Sequence, residues 1–396
     1  MFRDKLEDLL HFFDPVQLKD FSDTSYLSDE GAMGNWLSVY HYGQTPSDFG
    51  KFEVALVFVG THGYSSGSFS FQTQQQIREQ FYALRRFHSG LRVADLGNLK
   101  MGNTLQDAMF ALQEVCSMLF SLKVNVLVIG GTQPLTLSVF SAFKAFENNI
   151  NLVHIDSKID LSVEKENIET KHYLSNLIFN EAAHVYNIAC LGYQGYFVDQ
   201  KQTNKLNELY FEHARLGDIR ANFENVEPVI RDGDLVSFDI AAVRMNEAPG
   251  QADGSPNGFY ADEACRLARY AGISDRVQQF GLYEIDARFD QNKQTVKLAA
   301  QILWHYLEGY INRKHDFPQA SLSDCTKYNV QIDEIDFPIV FYNSKKSGRW
   351  WLEVKTVQNQ EEQGDSVVVS CTYDDYLLAC KNEIPDRWWI NFRKLE

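Results

Sequence analysis

From residue 50 to about residue 312 the chain alternates short, apolar, β-rich runs with longer stretches of helical period, and no other feature constrains its fold as much. VALVFVG (54–60), LRVADLG (91–97), NVLVIGG (125–131), NLVHIDS (151–157), IACLGYQ (188–194), DLVSFDIAAV (234–243) and QFGLYEID (279–286) read as buried strands. Between them TQQQIREQFYALRRF (73–87), NTLQDAMFALQEVCSMLFSL (103–122), PLTLSVFSAFKAF (134–146), LIFNEAAHVYN (177–187), KLNELYFEHARLGDIRANF (205–223), DEACRLARYAGI (262–273) and TVKLAAQILWHYLEGYINRK (295–314) read as helices. Asn103 is the expected cap of the second of these. Parallel strands buried on both faces need helices above and below them. The expected fold class is therefore α/β, with three layers, αβα, around a mostly parallel, doubly wound sheet.

The flanks differ. MFRDKLEDLLHFFDP carries acidic residues through its apolar stretch and has no small-residue cleavage site, so residues 1–49 are expected to be a helical and loop extension, not an export signal. Residues 50–314 are expected to form the α/β domain. Residues 315–396 alternate apolar and polar side chains around the turn NSKKSG, which predicts a small β-rich extension with an antiparallel hairpin and a closing helical turn. Its paired tryptophans, Trp350–Trp351 and Trp388–Trp389, either pack this tail on the main domain or form an oligomer contact.

A formal charge of −16 argues against a broad basic surface for nucleic acid or anionic lipid, and no apolar run reaches membrane-spanning length. Cys116, Cys190, Cys265, Cys325, Cys371 and Cys380 are scattered without a CxxC pair, as reduced core thiols would be. The expected location is the cytoplasm, and a homo-oligomer is the expected assembly. Neither a dinucleotide fingerprint nor a phosphate-binding loop is present.

Chemistry concentrates where strands end. In HIDSKID (154–160) Asp156, Lys158 and Asp160 alternate with Ser157 and Ile159, so an extended chain would put two carboxylates and an ammonium on one side. In doubly wound sheets ligands bind beyond the carboxyl ends of the strands, where GGTQ, HIDSKID, SFDIA and YEID would line one crevice. His154 is expected to pack in its strand, and His62 to be a loop histidine.

These strand ends resemble the ureohydrolase family of arginase, agmatinase and formimidoylglutamase. VGTHGYSSG, DLGN, IGGTQP, HIDSKIDL, SFDIAAVR, EAPGQADGSPNGFYADE and YEIDARFD follow the order of the family's motifs over roughly residues 50–312. The resemblance implies an arginase-like fold, a pair of manganese ions and hydrolysis of guanidino or formimino C–N bonds. It places Gln133 and Lys158 where the family has histidine ligands, Asp156, Asp160 and Asp239 at carboxylate ligands, and Ala241 at a further aspartate. Arg244 replaces another Asp of that motif. Glu284 matches the acidic residue that contacts the substrate's cationic end, and His172 falls in the loop of variable specificity contacts.

The substitutions have a direction. A protonated lysine has only donors and a positive charge, so Lys158 cannot ligate a dication and repels one nearby. The expectation is that its ammonium lies among Asp156, Asp160 and Asp239 as a built-in cation, and that the two-manganese cluster and C–N hydrolysis are lost. Asp156, Asp160, Asp239 and the Gln133 amide would hold no ion, or one divalent cation such as Mg2+, Ca2+ or Mn2+. Glu284 either binds a small guanidino, formimino or amine cation or is paired internally, with Arg244 as its partner. The function expected is binding or assembly; the alternative is an active formimidoylglutamase-type hydrolase that uses one ion or an atypical set of ligands.

Overall fold

The computed structural model describes residues 2–43, 49–62, 69–164, 171–318, 322–355 and 366–395. Its strands are β1 (Phe13–Asp14), β2 (Ser38–Val39), β3 (Val54–Val59), β4 (Thr61–His62), β5 (Phe69–Ser70), β6 (Val93–Leu99), β7 (Asn125–Gly130), β8 (Ile150–Ile155), β9 (Val185–Tyr193), β10 (His213–Arg215), β11 (Leu235–Asp239) and β12 (Gln279–Tyr283). The tail adds β13 (Cys325–Val330), β14 (Ile339–Ser344), β15 (Trp350–Lys355) and β16 (Ser366–Cys371). Ten strands form one sheet in the order β1-β6-β3-β7-β12-β11-β8-β9-β10, with β2 beside β6. Every pairing in it is parallel except that of β1 with β6.

Strand β3 shows why helices must cover both faces. Val54, Leu56 and Phe58 enter one core with the helices Ala261–Ile273 and Gln294–Ile311, while Ala55, Val57 and Val59 enter another with Leu105–Ser121 and Thr136–Phe143. Side chains alternate across a strand, so a run apolar at every position builds two cores. The three-layer α/β fold read from the sequence is the one observed.

Local boundaries moved where polar chemistry decides. Thr104, not Asn103, caps the helix Leu105–Ser121: its side chain accepts from Asp107 N, and the Asp107 carboxylate accepts from the Thr104 N–H. The stretch 205–223 is not one helix. The helix Gln200–Glu208 is followed by β10 and then by the short helix Leu216–Ala221, because β10 pairs with β9. Residues 177–187 likewise split, with a helix over Tyr173–Asn180 and β9 beginning at Val185.

The tail is larger than a hairpin. β13 to β16 form a four-stranded antiparallel sheet, followed by the helices Tyr373–Cys380 and Asp386–Leu395. Trp350 stacks on Tyr376 with centroids 4.8 Å apart, and Trp388 stacks on Phe392 at 4.9 Å. The Arg231 guanidinium lies over the buried Trp351 ring at 4.5 Å. The Asp232 carboxylate accepts from Ser370 N and Oγ, which fixes β16 to the main domain. Trp389 remains exposed.

Candidate functional site

Four neighbouring strands, β7, β12, β11 and β8, end side by side and deliver the polar residues. After β7 the chain turns through Gly130 and Gly131, with φ of 91° and 71°. A Cβ on Gly130 would sit 2.5 Å from the Val59 carbonyl oxygen, so this turn needs glycine. It delivers Gln133, whose backbone N–H donates to Glu284 Oε1 at 2.9 Å. Glu284 follows β12 in the left-handed region, φ 62°, which is costly for a residue with a side chain. β11 ends on Asp239, whose Oδ1 accepts from Ala241 N at 2.7 Å.

Asp156, Asp160, Asp239, Glu284, Gln133, Lys158 and His172 all line one cavity of about 560 Å³. The carboxylates crowd one another in a water-poor place. Burial pushes the Asp156 carboxyl up to about 7 against the lowering pull of the Ser157 and Lys158 N–H groups. Burial, then the negative charges of Asp156 and Glu284, hold both Asp160 and Asp239 well above the ordinary carboxylate range. Burial also raises Glu284.

Two contacts differ from expectation. Lys158 does not lie hydrogen-bonded among the three aspartates: its Nζ donates to Asp253 Oδ2 at 2.8 Å, and Asp156 and Asp160 feel its charge only at longer range. The reason is local. β8 stops at Ile155 and residues 156–158 bend, so the alternation that would align the three side chains ends with the strand. Arg244 does not pair with Glu284 either. It forms a salt bridge with Glu247 and lies over the Tyr260 ring at 4.1 Å.

Other motif residues are structural. Both Asp290 oxygens accept from the first turn of the helix Gln294–Ile311, through Gln294 N and Val296 N. Asp286 pairs with Arg288. His172 Nδ1 is buried without a hydrogen-bond partner among the described residues. The His62 side chain and residues 63–68 of the Gly-Ser run lie outside the described residues.

His154 packs in its strand, as expected, but the sequence reading gave it no place beside the carboxylates, and it did not single out Asp253. His154 is fully buried two residues before Asp156, and burial lowers its pKa to about 4, so the ring is neutral. His154, Asp156 and Asp160 each offer a ligand atom, and these atoms lie within 4.8 Å of one another. The i, i+2 spacing was the available signal for His154. Asp253 carried none, since it lies 95 residues from its partner.

A larger cavity of about 670 Å³ lies at the opposite ends of the strands, against the tail. Two ion pairs line it, Arg276 with Asp234 and Arg387 with Glu212. It is away from the carboxylates and adds nothing to their chemistry.

A carboxylate-lined crevice at the carboxyl ends of adjacent central strands, in a three-layer αβα fold, lies where doubly wound α/β proteins bind their ligands. The family model described as "Arginase: Arginase family" matches residues 60–308. Formimidoylglutamase from Clostridium tetani is 22% identical over 243 residues, 56% of this chain and 71% of that protein. The Lysinibacillus sphaericus formimidoylglutamase is 23% identical over 238 residues, 57% and 73% of the two chains. Among solved structures, Bacillus subtilis formimidoylglutamase superposes with a TM-score of 0.60 at 18% identity, covering 76% of this chain and 97% of that one. Trypanosoma cruzi formiminoglutamase with Mn2+ gives 0.59 at 15% identity, covering 66% and 95%. The chain belongs to the arginase family, and its likeness is to the formimidoylglutamases. Among the described residues no helix is long and apolar enough to cross a membrane.

Proposed function

We propose that this arginase-family protein does not assemble a pair of metal ions, has given up C–N hydrolysis, and serves as a binding or assembly protein. The observation that carries this reading is Lys158. Lys158 stands in the sequence where the family resemblance puts a histidine ligand of the second ion, and its ammonium, which has no lone pair to give, pairs with Asp253 on the same cavity. Ala241, at the other divergent ligand position, offers a methyl group and no side-chain donor. An ammonium on this cavity opposes a second dication nearby, and a hydroxide bridging two ions is the nucleophile that such hydrolysis needs.

The remaining donors suit one ion. Asp156 and Asp239 are buried and Asp160 half-buried, all three are raised in pKa, and Asp156 and Asp239 accept side-chain hydrogen bonds from backbone N–H groups and a serine. Gln133 Oε1 is buried with no hydrogen-bond partner among the described residues. Such oxygens fit a hard divalent cation, Mg2+, Ca2+ or Mn2+, which would supply the positive charge they lack. Glu284 and Asp253, on the same cavity, give it affinity for a small cation bearing a guanidino, formimino or amine group. Self-association through the exposed Trp389 belongs to the assembly half of the proposal.

The test is metal content of the purified chain together with turnover of formiminoglutamate, agmatine and arginine. The expected result is at most one ion per chain and no turnover. Two manganese ions per chain with robust hydrolysis would remove the reading. A second reading, an active formimidoylglutamase-type hydrolase on one ion, draws on the three converging carboxylates. It requires turnover in the native chain that Asp239→Ala abolishes.

A further inference from the structure

We propose that Gln251 is a specificity-determining residue of the carboxylate cavity: its side-chain oxygen accepts an N–H of the bound cation, so the cavity selects nitrogen cations that donate hydrogen bonds over methylated cations of equal charge. This selectivity rests on the reading above that the cavity binds a small cation, and it sets what distinguishes one such cation from another.

Charge alone selects little. Asp156, Asp160, Asp239, Asp253 and Glu284 all line the cavity, and Coulomb attraction draws any cation to them whatever groups it carries. Discrimination needs an acceptor that points one way and goes unmet when the wrong ligand binds. Four polar atoms of cavity-lining residues are buried without a hydrogen-bond partner among the described residues: Thr132 Oγ1, Gln133 Oε1, His172 Nδ1 and Gln251 Oε1. A hydroxyl rotates and a ring can change tautomer, but carbonyl groups fix the orientation of Gln251. Its Nε2 donates to the Ala248 oxygen at 2.5 Å and to the Val243 oxygen at 3.1 Å. Those oxygens can only accept, so the reverse orientation would set oxygen against oxygen. Val243 and Ala248 are fully buried and neither lines the cavity, so the oxygen, on the other edge of the amide, is the edge left for a ligand.

The backbone holds this amide in place. Gly250 N donates to Thr295 Oγ1 at 2.6 Å, and Asp286 N donates to the Gly250 oxygen at 2.8 Å. A Cβ on Gly250 would come within 2.9 Å of Asp290 Cβ and of Thr295, so glycine permits the close approach. Asp286 follows Glu284 by two residues, and the contact that pins Gly250 therefore brings the Gln251 segment to the strand end that carries Glu284. The carboxylates supply charge, and a neutral amide oxygen adds a contact that only a donor can make. Lys158, the cavity's own ammonium, gives its recorded hydrogen bond to Asp253 instead. A ligand N–H would meet the buried oxygen, whereas an N-methyl group would leave it enclosed and unpaired, which is costly.

Calorimetric titration of the full chain with n-butylammonium chloride and n-butyltrimethylammonium chloride tests this. The native chain is expected to bind the primary ammonium at least about 10-fold more tightly, the effect of one hydrogen bond to a charged donor. Gln251→Met keeps an unbranched side chain and removes the acceptor. It is expected to lose most of that preference by weakening the primary ammonium while leaving the trimethyl cation within about 2-fold of native. A purely structural role would weaken both cations alike. Three outcomes overturn the proposal: equal binding of the two cations by the native chain, a preference unchanged in Gln251→Met, which would assign it to size, or an equal loss of both in the variant. Binding of neither cation by the native chain would sink the small-cation reading itself, whereas equal binding would spare it. Independently of any variant, native protein carrying 13C at its glutamine side-chain carbonyls should show a resonance that moves with n-butylammonium and stays still with the trimethyl cation. No such difference would refute the proposal.

Discussion

At Asp156 the ordinary order of stability and pH is inverted. Its carboxyl titrates near 7 when folded, against about 3.9 for an unfolded aspartate, so between those values the folded chain holds the extra proton. Stability of the metal-free protein must then fall as pH rises through that window. Asp160, Asp239 and Glu284 are raised too and act with the same sign. Scanning calorimetry in chelator should give a higher melting temperature at pH 5 than at pH 8, with Asp156→Asn reducing the difference; a flat profile in the native chain would contradict the burial argument. The Lys158–Asp253 pair is a different matter. Asp253 is 72% exposed, so Lys158→Met should change stability by less than about 1 kcal/mol, measured by urea unfolding. The aspartates could be read from the sequence because motif order places them. The lysine's partner could not, because a bend after Ile155 redirects the side chain and no local pattern announces a bend.

Elements were legible where one force dominated. Strands apolar at every position and helices with one apolar stripe came out nearly as spaced in the sequence, as with β7 and the helix Gln294–Ile311. They failed where pairing competed with helical period, as in 205–223, where β10 interrupts two short helices. The helix Gln72–Tyr82 depends on more than its apolar stripe. Arg78 Nε lies 2.8 Å from Asp95 Oδ2 on β6, both side chains are buried, and the Tyr82 hydroxyl donates to the same carboxylate at 2.7 Å. Arg78→Met would leave Asp95 charged and enclosed, at a cost of about 3–5 kcal/mol in urea unfolding. A loss under 1 kcal/mol would mean that solvent reaches the pair. Thr104→Ala, which removes the capping side chain, should cost about 1 kcal/mol.

Across the whole molecule the tail covers the end of the sheet opposite the crevice, and its contacts are polar and charged. Ser370 on Asp232, Arg387 on Glu212 and Arg231 over Trp351 join it to the main domain. Removing the Asp232 acceptor should therefore destabilise the chain by about 1–3 kcal/mol. If these contacts couple the two sheets, tryptophan fluorescence and far-ultraviolet circular dichroism will still report one transition in Asp232→Ala; fluorescence changing first would show a tail that unfolds alone. The sequence indicated the tail's β character but not its four strands, since their register is set by pairing that alternation alone does not specify. Finally, the sheet order β7-β12-β11-β8 means that the last two strands of the main domain to be translated slot between two made much earlier. A nascent chain must hold the edges of β7 and β8 apart, or shielded by helper proteins, until residue 283 has cleared the ribosome, so the crevice closes late in synthesis.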